Sequence, residues 1–395
     1  MTTTDIRNMV SRYQEEMIRL RRDFHQHPEL GFQEKRTAGV IAEYLRTVGV
    51  SIQEGIGKTG VIGLLSGKLP GKTLLLRADM DALPIQEQTG AAYASVHENI
   101  MHACGHDGHM AILLGTARTL SELRNAFTGT VKFVFQPAEE NLGGAREMIR
   151  DGVLENPRVD GAFGLHIINQ IPVGMIAYRS GAIMAAMDSF MIRIKGKGGH
   201  SAMPEGGIDA IAIAAQVALT IQGLIQKELS PLTPLIVNVG SFHGGTAANV
   251  IAETVELTGT VRCLDEQVRK SIPGRMERIL RGITTSMRGD FELEYSSGYP
   301  PTFNDVRMTE LVRLLALEVA GADSVFEVPP TMASEDMSFY LQQVPGSYFY
   351  VGGGNADRGY CEPHHNARFD FDERALEIGA TMLTSIALSY LNSTK

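Results

Sequence analysis

The chain has little cysteine: Cys104, Cys263 and Cys361 are the only three in 395 residues, and they lie far apart. An odd, scattered set is not a disulfide framework, so reduced thiols and a cytoplasmic setting are expected. Positive charge is also scarce. The formal net charge is -9, and the only short basic cluster, Arg19 to Arg22, falls within a helical pattern. Nucleic acid and anionic membrane normally call for a basic face, so neither is expected as a partner and a small molecule is. Long hydrophobic runs are missing as well: the most apolar segment, Ala210 to Leu219, falls short of the roughly 20 residues of a membrane span. The opening Met1 to Arg12 is polar, carries Asp5, and does not read as a signal peptide. No internal repeat or low-complexity tract is evident.

What is present is a globular composition, 44% hydrophobic and 21% charged, in a chain longer than one core usually supports. Ile6, Val10, Tyr13, Met17 and Leu20 recur at helical spacing and predict an opening amphipathic helix, and a second helix is expected from Thr37 to Gly49. Apolar runs at Thr73 to Arg77, Thr130 to Phe135 and Val159 to Leu165 alternate with helical segments, the pattern of an α/β sheet. The middle differs. Strands are expected at Phe190 to Ile194, Leu235 to Val239, Val255 to Val261 and Phe291 to Tyr295, with a long helix at Ile208 to Leu229 and a helical stretch broken by Pro273. The fold class predicted is α/β: a catalytic domain of residues 1–187 and 299–395 with a mixed sheet flanked by helices, interrupted by a smaller α+β module of residues 188–298.

The densest chemistry lies in His102-Ala103-Cys104-Gly105-His106-Asp107-Gly108-His109. Cys104 and His106, two apart in a glycine-rich turn, are able to reach one metal, thiolate suiting zinc and imidazole suiting zinc, nickel or cobalt. A buried thiol flanked by surface histidines is the plainer reading, and three histidines and an aspartate within eight residues weigh against it. Glu139 and Glu140 follow a strand, and adjacent carboxylates there point in different directions, one toward metal and one toward substrate. A carboxylate beside activated water is what amide hydrolysis requires. Taken alone, the pair also fits an exposed acidic loop. His166 closes the run Phe163-Gly164-Leu165 and so stands at a strand terminus, where open α/β sheets bind ligands. His364-His365 occupy a loop before the last helix. Asp79 and Asp81 share a face after Leu74 to Ala78 and are open to three roles: metal ligation, orientation of a ligand, or capping the turn at Leu83-Pro84. Lys195 to Ser201 is a glycine-rich loop able to present His200, and it lacks the GxxxxGK[ST] spacing of a phosphate loop.

In this order, Phe24 to Leu30, Arg77 to Pro84, Cys104 to His109, Pro137 to Glu140, Gly164 to His166, Gly198 to His200, Gly244 to Thr246, Asn249 to Ile251, Ser334 to Asp336 and His365 to Phe369 resemble the aminoacylase, hippurate hydrolase and indole-acetyl-amino-acid hydrolase family of two-domain metallopeptidases. The resemblance implies hydrolysis of the amide bond of N-acyl amino acids. It implies two divalent metals (zinc, manganese, cobalt or nickel) on Cys104, His106, Glu140, His166 and His365, with Glu139 as general base and acid. His365 is preferred to His364 because His365-Asn366-Ala367-Arg368-Phe369 follows the family's pattern, with Ala367 where proline is usual. By the same likeness Asp81 supports a ligand, the inserted module is a lid and dimerisation domain, and His200 reaches a partner's site in a homodimer or homotetramer. Asn249 and Arg262 would then hold the substrate carboxylate. The competing readings are a dipeptidase or carboxypeptidase of the same superfamily, a thiol enzyme using Cys104 with His106 or His109, and a noncatalytic metal- or ligand-binding protein.

Overall fold

The structure is a computed structural model that describes residues 1–140 and 143–393. The chain forms two compact units: Met1–Gly181 with Phe303–Pro329 and Asp336–Lys395, and Ala182–Thr302 with Pro330–Glu335. The second unit is thus wider than the 188–298 expected, and it takes in a short segment from the far side of the insertion.

The first unit opens with α1 (Thr3–Ser11), α2 (Gln14–Gln26) and α3 (Lys35–Thr47). Where one opening helix was expected there are two. The apolar period runs through both, with Ile6, Val10 and Met17 buried on one side, while the helical hydrogen bonds are interrupted at Arg12 and Tyr13. Then come β1 (Ser51–Ile56), β2 (Gly60–Ser66), β3 (Thr73–Asp79), α4 (His106–Glu122), β4 (Thr130–Gln136), α5 (Gly144–Arg150), β5 (Gly161–Pro172) and β6 (Ile176–Tyr178).

The second unit contributes β7 (Met187–Lys195), α6 (Ala210–Lys227), β8 (Leu235–Gly244), β9 (Thr254–Cys263), α7 (Glu266–Ser286) and β10 (Asp290–Tyr299). Its strands form one antiparallel sheet in the order β8-β9-β7-β10. Along β7 the side chains of Asp188, Phe190, Ile192 and Ile194 are buried in alternation, and α6 and α7 cover that face with a core of their own. α6, at 18 residues, lies within the helix expected at Ile208 to Leu229; by length and composition alone it is enough to cross a membrane, which Ala210 to Leu219 was expected not to be, and Ile213, Val217, Ile221 and Ile225 pack into this unit's core. Pro273 does not break α7, contrary to expectation. The helix continues through it because Ile272, Met276, Ile279 and Leu280 bury one face, which offsets the roughly 3 kcal/mol that an interior proline costs.

The chain re-enters the first unit with α8 (Val306–Ala320), β11 (Val325–Glu327), β12 (Gly346–Gly354) and α9 (Arg374–Asn392). The sheet of this unit has the order β1-β2-β4-β3-β5-β12-β6-β11 and is mixed. Its central strands β4, β3, β5 and β12 are mutually parallel, so their carboxyl ends open on one edge. The α4 helix, buried along nearly its whole length, and α9 pack against the sheet in a second, larger core.

One buried ion pair organises the second unit. Asp188 accepts from the Arg269 guanidinium at 2.7 Å, from the Tyr295 hydroxyl at 2.9 Å and from the Gly298 amide at 2.9 Å. Arg269→Ala leaves that carboxylate buried without its counter-charge, and is expected to lower unfolding free energy by about 3 to 5 kcal/mol. Urea denaturation checks it: the midpoint falls, and an unchanged midpoint would contradict the account.

Candidate metal centre

The carboxylates of the site come from strand ends. β3 stops at Asp79, with Asp81 two residues further, and β4 stops at Gln136 and runs into Pro137–Glu140. Asp81 joins these segments: its Oδ1 accepts the backbone N–H of Glu139 and its Oδ2 that of Glu140, each at 2.9 Å. The Asp81 carbonyl also accepts from His106 Nδ1 at 2.9 Å, so one buried residue orients both the carboxylates and an imidazole.

Gly105 takes a left-handed φ of 84°, which turns the chain sharply into α4, so Cys104 precedes the helix and His106 begins it. His166 does not end its strand as expected; β5 runs on to Pro172. Its pairing with β3 stops at Gly164, two residues short of His166, while on the other side His166 pairs with Tyr350 of β12.

Ligand-type atoms of Cys104, His106 and His166 lie within 4.8 Å of one another, as do those of Cys104, Glu140 and His365, and those of His106, Glu139 and Glu140. The groups share members, so these six side chains form one centre. His200, Asn249 and Arg262 belong to the second unit. There His200 and Val250 pair in a short ladder, Ser201 N–H donates to the Asn249 carbonyl at 3.1 Å, and Arg262 Nη1 donates to the Met332 carbonyl at 2.9 Å.

Hydrogen bonds sort the five histidines around Cys104. His166 Nδ1 donates to the Ile167 carbonyl at 2.7 Å, leaving Nε2 to face Cys104 Sγ at 3.6 Å. His109 has no nitrogen to spare: Nε2 accepts the Ile167 amide at 2.9 Å, so Nδ1 is the donor to Asp79 Oδ1 at 2.7 Å. His364 Nε2 donates to the Ile167 carbonyl at 2.8 Å. The peptide groups of Ile167 are therefore clasped by three imidazoles, and His109 and His364 are supports. His365 Nε2 stands 3.1 Å from Glu140 Oε1, and this contact raises the imidazole above its usual range.

The electrostatics favour cations at this point. Burial, then Glu140, Glu139 and Asp79, push the Cys104 thiol well above its usual range. Burial opposes charge on His106, yet Asp79 and Asp81 lift it to about 10. Burial and the nearby imidazoles keep His166 neutral, with its Nε2 lone pair available. A thiol, imidazoles and carboxylates with ligand atoms this close together fit divalent metal. The engagement of both His109 nitrogens also counts against that residue as the base of a thiol nucleophile.

Sequence reasoning assigned no role to the layer beneath. Arg77, buried in β3, donates to Asp79 at 2.7 Å, to Asp336 at 2.8 Å and to Gln136 at 2.9 Å. An arginine inside an apolar strand was the available signal. A second buried network ties α2 to α4: Asp107, next to His106, accepts from Arg21 at 2.8 Å and pairs with His25 at 2.7 Å.

With this geometry in view, comparison with known proteins is decisive about kinship. The sequence model of peptidase family M20/M25/M40 matches residues 75–389, and the chain belongs to that family. It is 39% identical over 391 residues to thermostable carboxypeptidase 1 of Saccharolobus solfataricus, covering 98% of each chain. It is 45% identical over 305 residues to an N-acyl-L-amino acid amidohydrolase of Geobacillus stearothermophilus, covering 77% of this chain and 82% of that one. A solved Bacillus subtilis structure, described as a dinuclear metal binding peptidase of the M20 family, superposes with a TM-score of 0.87 at 34% identity, covering 97% and 99%.

The His25–Asp107 pair carries a pH signature. Burial works against a charge on His25, and Asp107 overcomes it, raising His25 to about 9. A raised histidine stabilises the fold fully below its ordinary value of 6.5 and loses that contribution as pH climbs through about 9. The melting temperature of metal-free protein is expected to fall across that window, and His25→Gln to flatten the fall; an identical slope in both would contradict it.

Proposed function

We propose that this chain is a dinuclear metal-dependent amidohydrolase that cleaves N-acyl amino acids to a carboxylic acid and a free amino acid. The observation that carries the reading is the convergence of Cys104, His106, Glu140, His166 and His365 with Glu139 beside them. The first five would hold two divalent cations, with zinc, manganese, cobalt or nickel as the candidates; of these the Cys104 thiolate suits zinc best and manganese least. Bound there, such cations supply Lewis acidity, which polarises an amide carbonyl and acidifies water.

The chain's own groups do the rest. Glu139, whose carboxylate lies within 4.8 Å of ligand atoms on His106 and Glu140, takes the proton from the attacking water and returns it to the leaving nitrogen. Asp81 keeps Glu139 and Glu140 diverging by holding their amides. His200, exposed in the second unit, would stabilise the oxyanion in a partner's site, and Asn249 and Arg262 would hold the substrate carboxylate. This requires a homodimer or homotetramer. Three free cysteines fit a cytoplasmic setting.

A second reading, cleavage of peptides from the carboxyl end, is favoured by the carboxypeptidase among the relatives. A panel of N-acetyl, N-benzoyl and indole-acetyl amino acids against dipeptides and longer peptides separates the two. Glu139→Gln is expected to keep its metal and to lose about 100-fold or more in kcat. Unchanged turnover would remove the role given to Glu139, and full activity after exhaustive chelation would remove the metals. Mixing inactive His200→Ala and Glu139→Gln subunits is expected to restore partial activity; none in verified heterodimers would mean that each site is complete in one chain.

A further inference from the structure

The turn Pro137–Glu140 is gripped more firmly than ligation requires. Three successive backbone N–H groups end on two buried carboxylates: Ala138 on Glu34 Oε1, and Glu139 and Glu140 on the oxygens of Asp81, each at 2.9 Å. The grip has a reason in the backbone. Ala138 has a φ of 53°, a left-handed conformation that costs an L residue about 1 to 2 kcal/mol. Gly144 closes the far side: its amide donates to the Ala138 carbonyl at 3.0 Å, and a Cβ there would lie 1.7 Å from the Pro137 oxygen.

Glu34 is an unusual group to find beneath this turn. It occupies the position just before α3, where a side chain would ordinarily cap the helix, yet it makes no capping bond. Its carboxylate instead turns inward, fully buried, to take the Ala138 amide with one oxygen and the Thr59 hydroxyl, at 2.6 Å, with the other. Burial pushes it up to about 7, a cost that a surface position would avoid.

We propose that Glu34 is a positioning residue: by holding the Ala138 amide it fixes the left-handed turn that aims Glu139 at the substrate and Glu140 at the metal centre. The proposal rests on the roles given to Glu139 and Glu140 above. It acts through geometry, so reach matters more than charge. Glu34→Gln keeps a carbonyl oxygen at the same distance from Ala138. Glu34→Asp keeps the charge and withdraws it by one methylene.

The test compares Glu34→Gln, Glu34→Asp and Glu34→Ala by steady-state kinetics on an N-acyl amino acid and by cobalt(II) titration of metal-free protein, followed in the visible spectrum. Glu34→Gln is expected to stay within about threefold of wild type in both. Glu34→Asp and Glu34→Ala are expected to lose about 10- to 100-fold in kcat and in cobalt affinity, with KM changed less than about threefold. Glu34→Asp matching wild type, or Glu34→Gln losing as much as Glu34→Ala, overturns the proposal. So does a folded Glu34→Ala protein that is less stable but unaltered in kcat and affinity. If Glu34→Ala does not fold, the Asp and Gln pair decides. Should wild type hydrolyse none of the substrates, the functional reading fails, and the cobalt titration alone still decides the role of Glu34.

Discussion

This centre depends on one constraint: four of the groups able to grip a cation, His106, His166, Glu139 and Glu140, are each fixed from behind by a hydrogen bond that involves the backbone. Asp81 takes the amides of Glu139 and Glu140 and, through its carbonyl, His106 Nδ1. Ile167 takes His166 Nδ1. An imidazole whose Nδ1 donates to a carbonyl presents Nε2 with a defined direction, and a carboxylate on a pinned backbone has few rotamers left to explore. The ordering cost is met during folding, so cation binding need not pay it again.

The parallel core of the sheet brings these anchors together. β3, β4 and β5 finish on one edge, and residues just beyond or beside their pairing limits, Asp79, Asp81, Glu139, Glu140 and His166, crowd there. Two of the seven non-glycine residues with positive φ among the described residues sit at the same place. Ala138 and His365, at φ 53° and 64°, are non-glycine residues in the left-handed region, and both flank or belong to the proposed ligand set. His365 is held by its amide to the Ala103 carbonyl at 2.8 Å, one residue from Cys104, so the last loop is registered on the first.

Much of this was legible in the sequence because the informative residues are adjacent in it. Cys104, His106 and the Glu139-Glu140 pair announce themselves by local density, and the strands of both units by apolar runs. What was hidden depends on distance. Asp336 meets Arg77 from 259 positions away, and no spacing rule links them. The family resemblance chose His106, His166 and His365 as ligands, but the physical reason for passing over His109 shows only in space, where both of its nitrogens are engaged. Glu34 lies outside every motif the sequence offered, three residues before the helix expected from Thr37. The continuous α7 through Pro273 and the strand running past His166 were misjudged for a related reason, since packing in the unit overrode a local signal.

The most direct measurement is anomalous X-ray diffraction from crystals of protein loaded with zinc or manganese. Two peaks per chain are predicted, each within about 2.0 to 2.4 Å of ligand atoms drawn from Cys104, His106, Glu140, His166 and His365. A single peak, or peaks seated away from these side chains, would contradict the account.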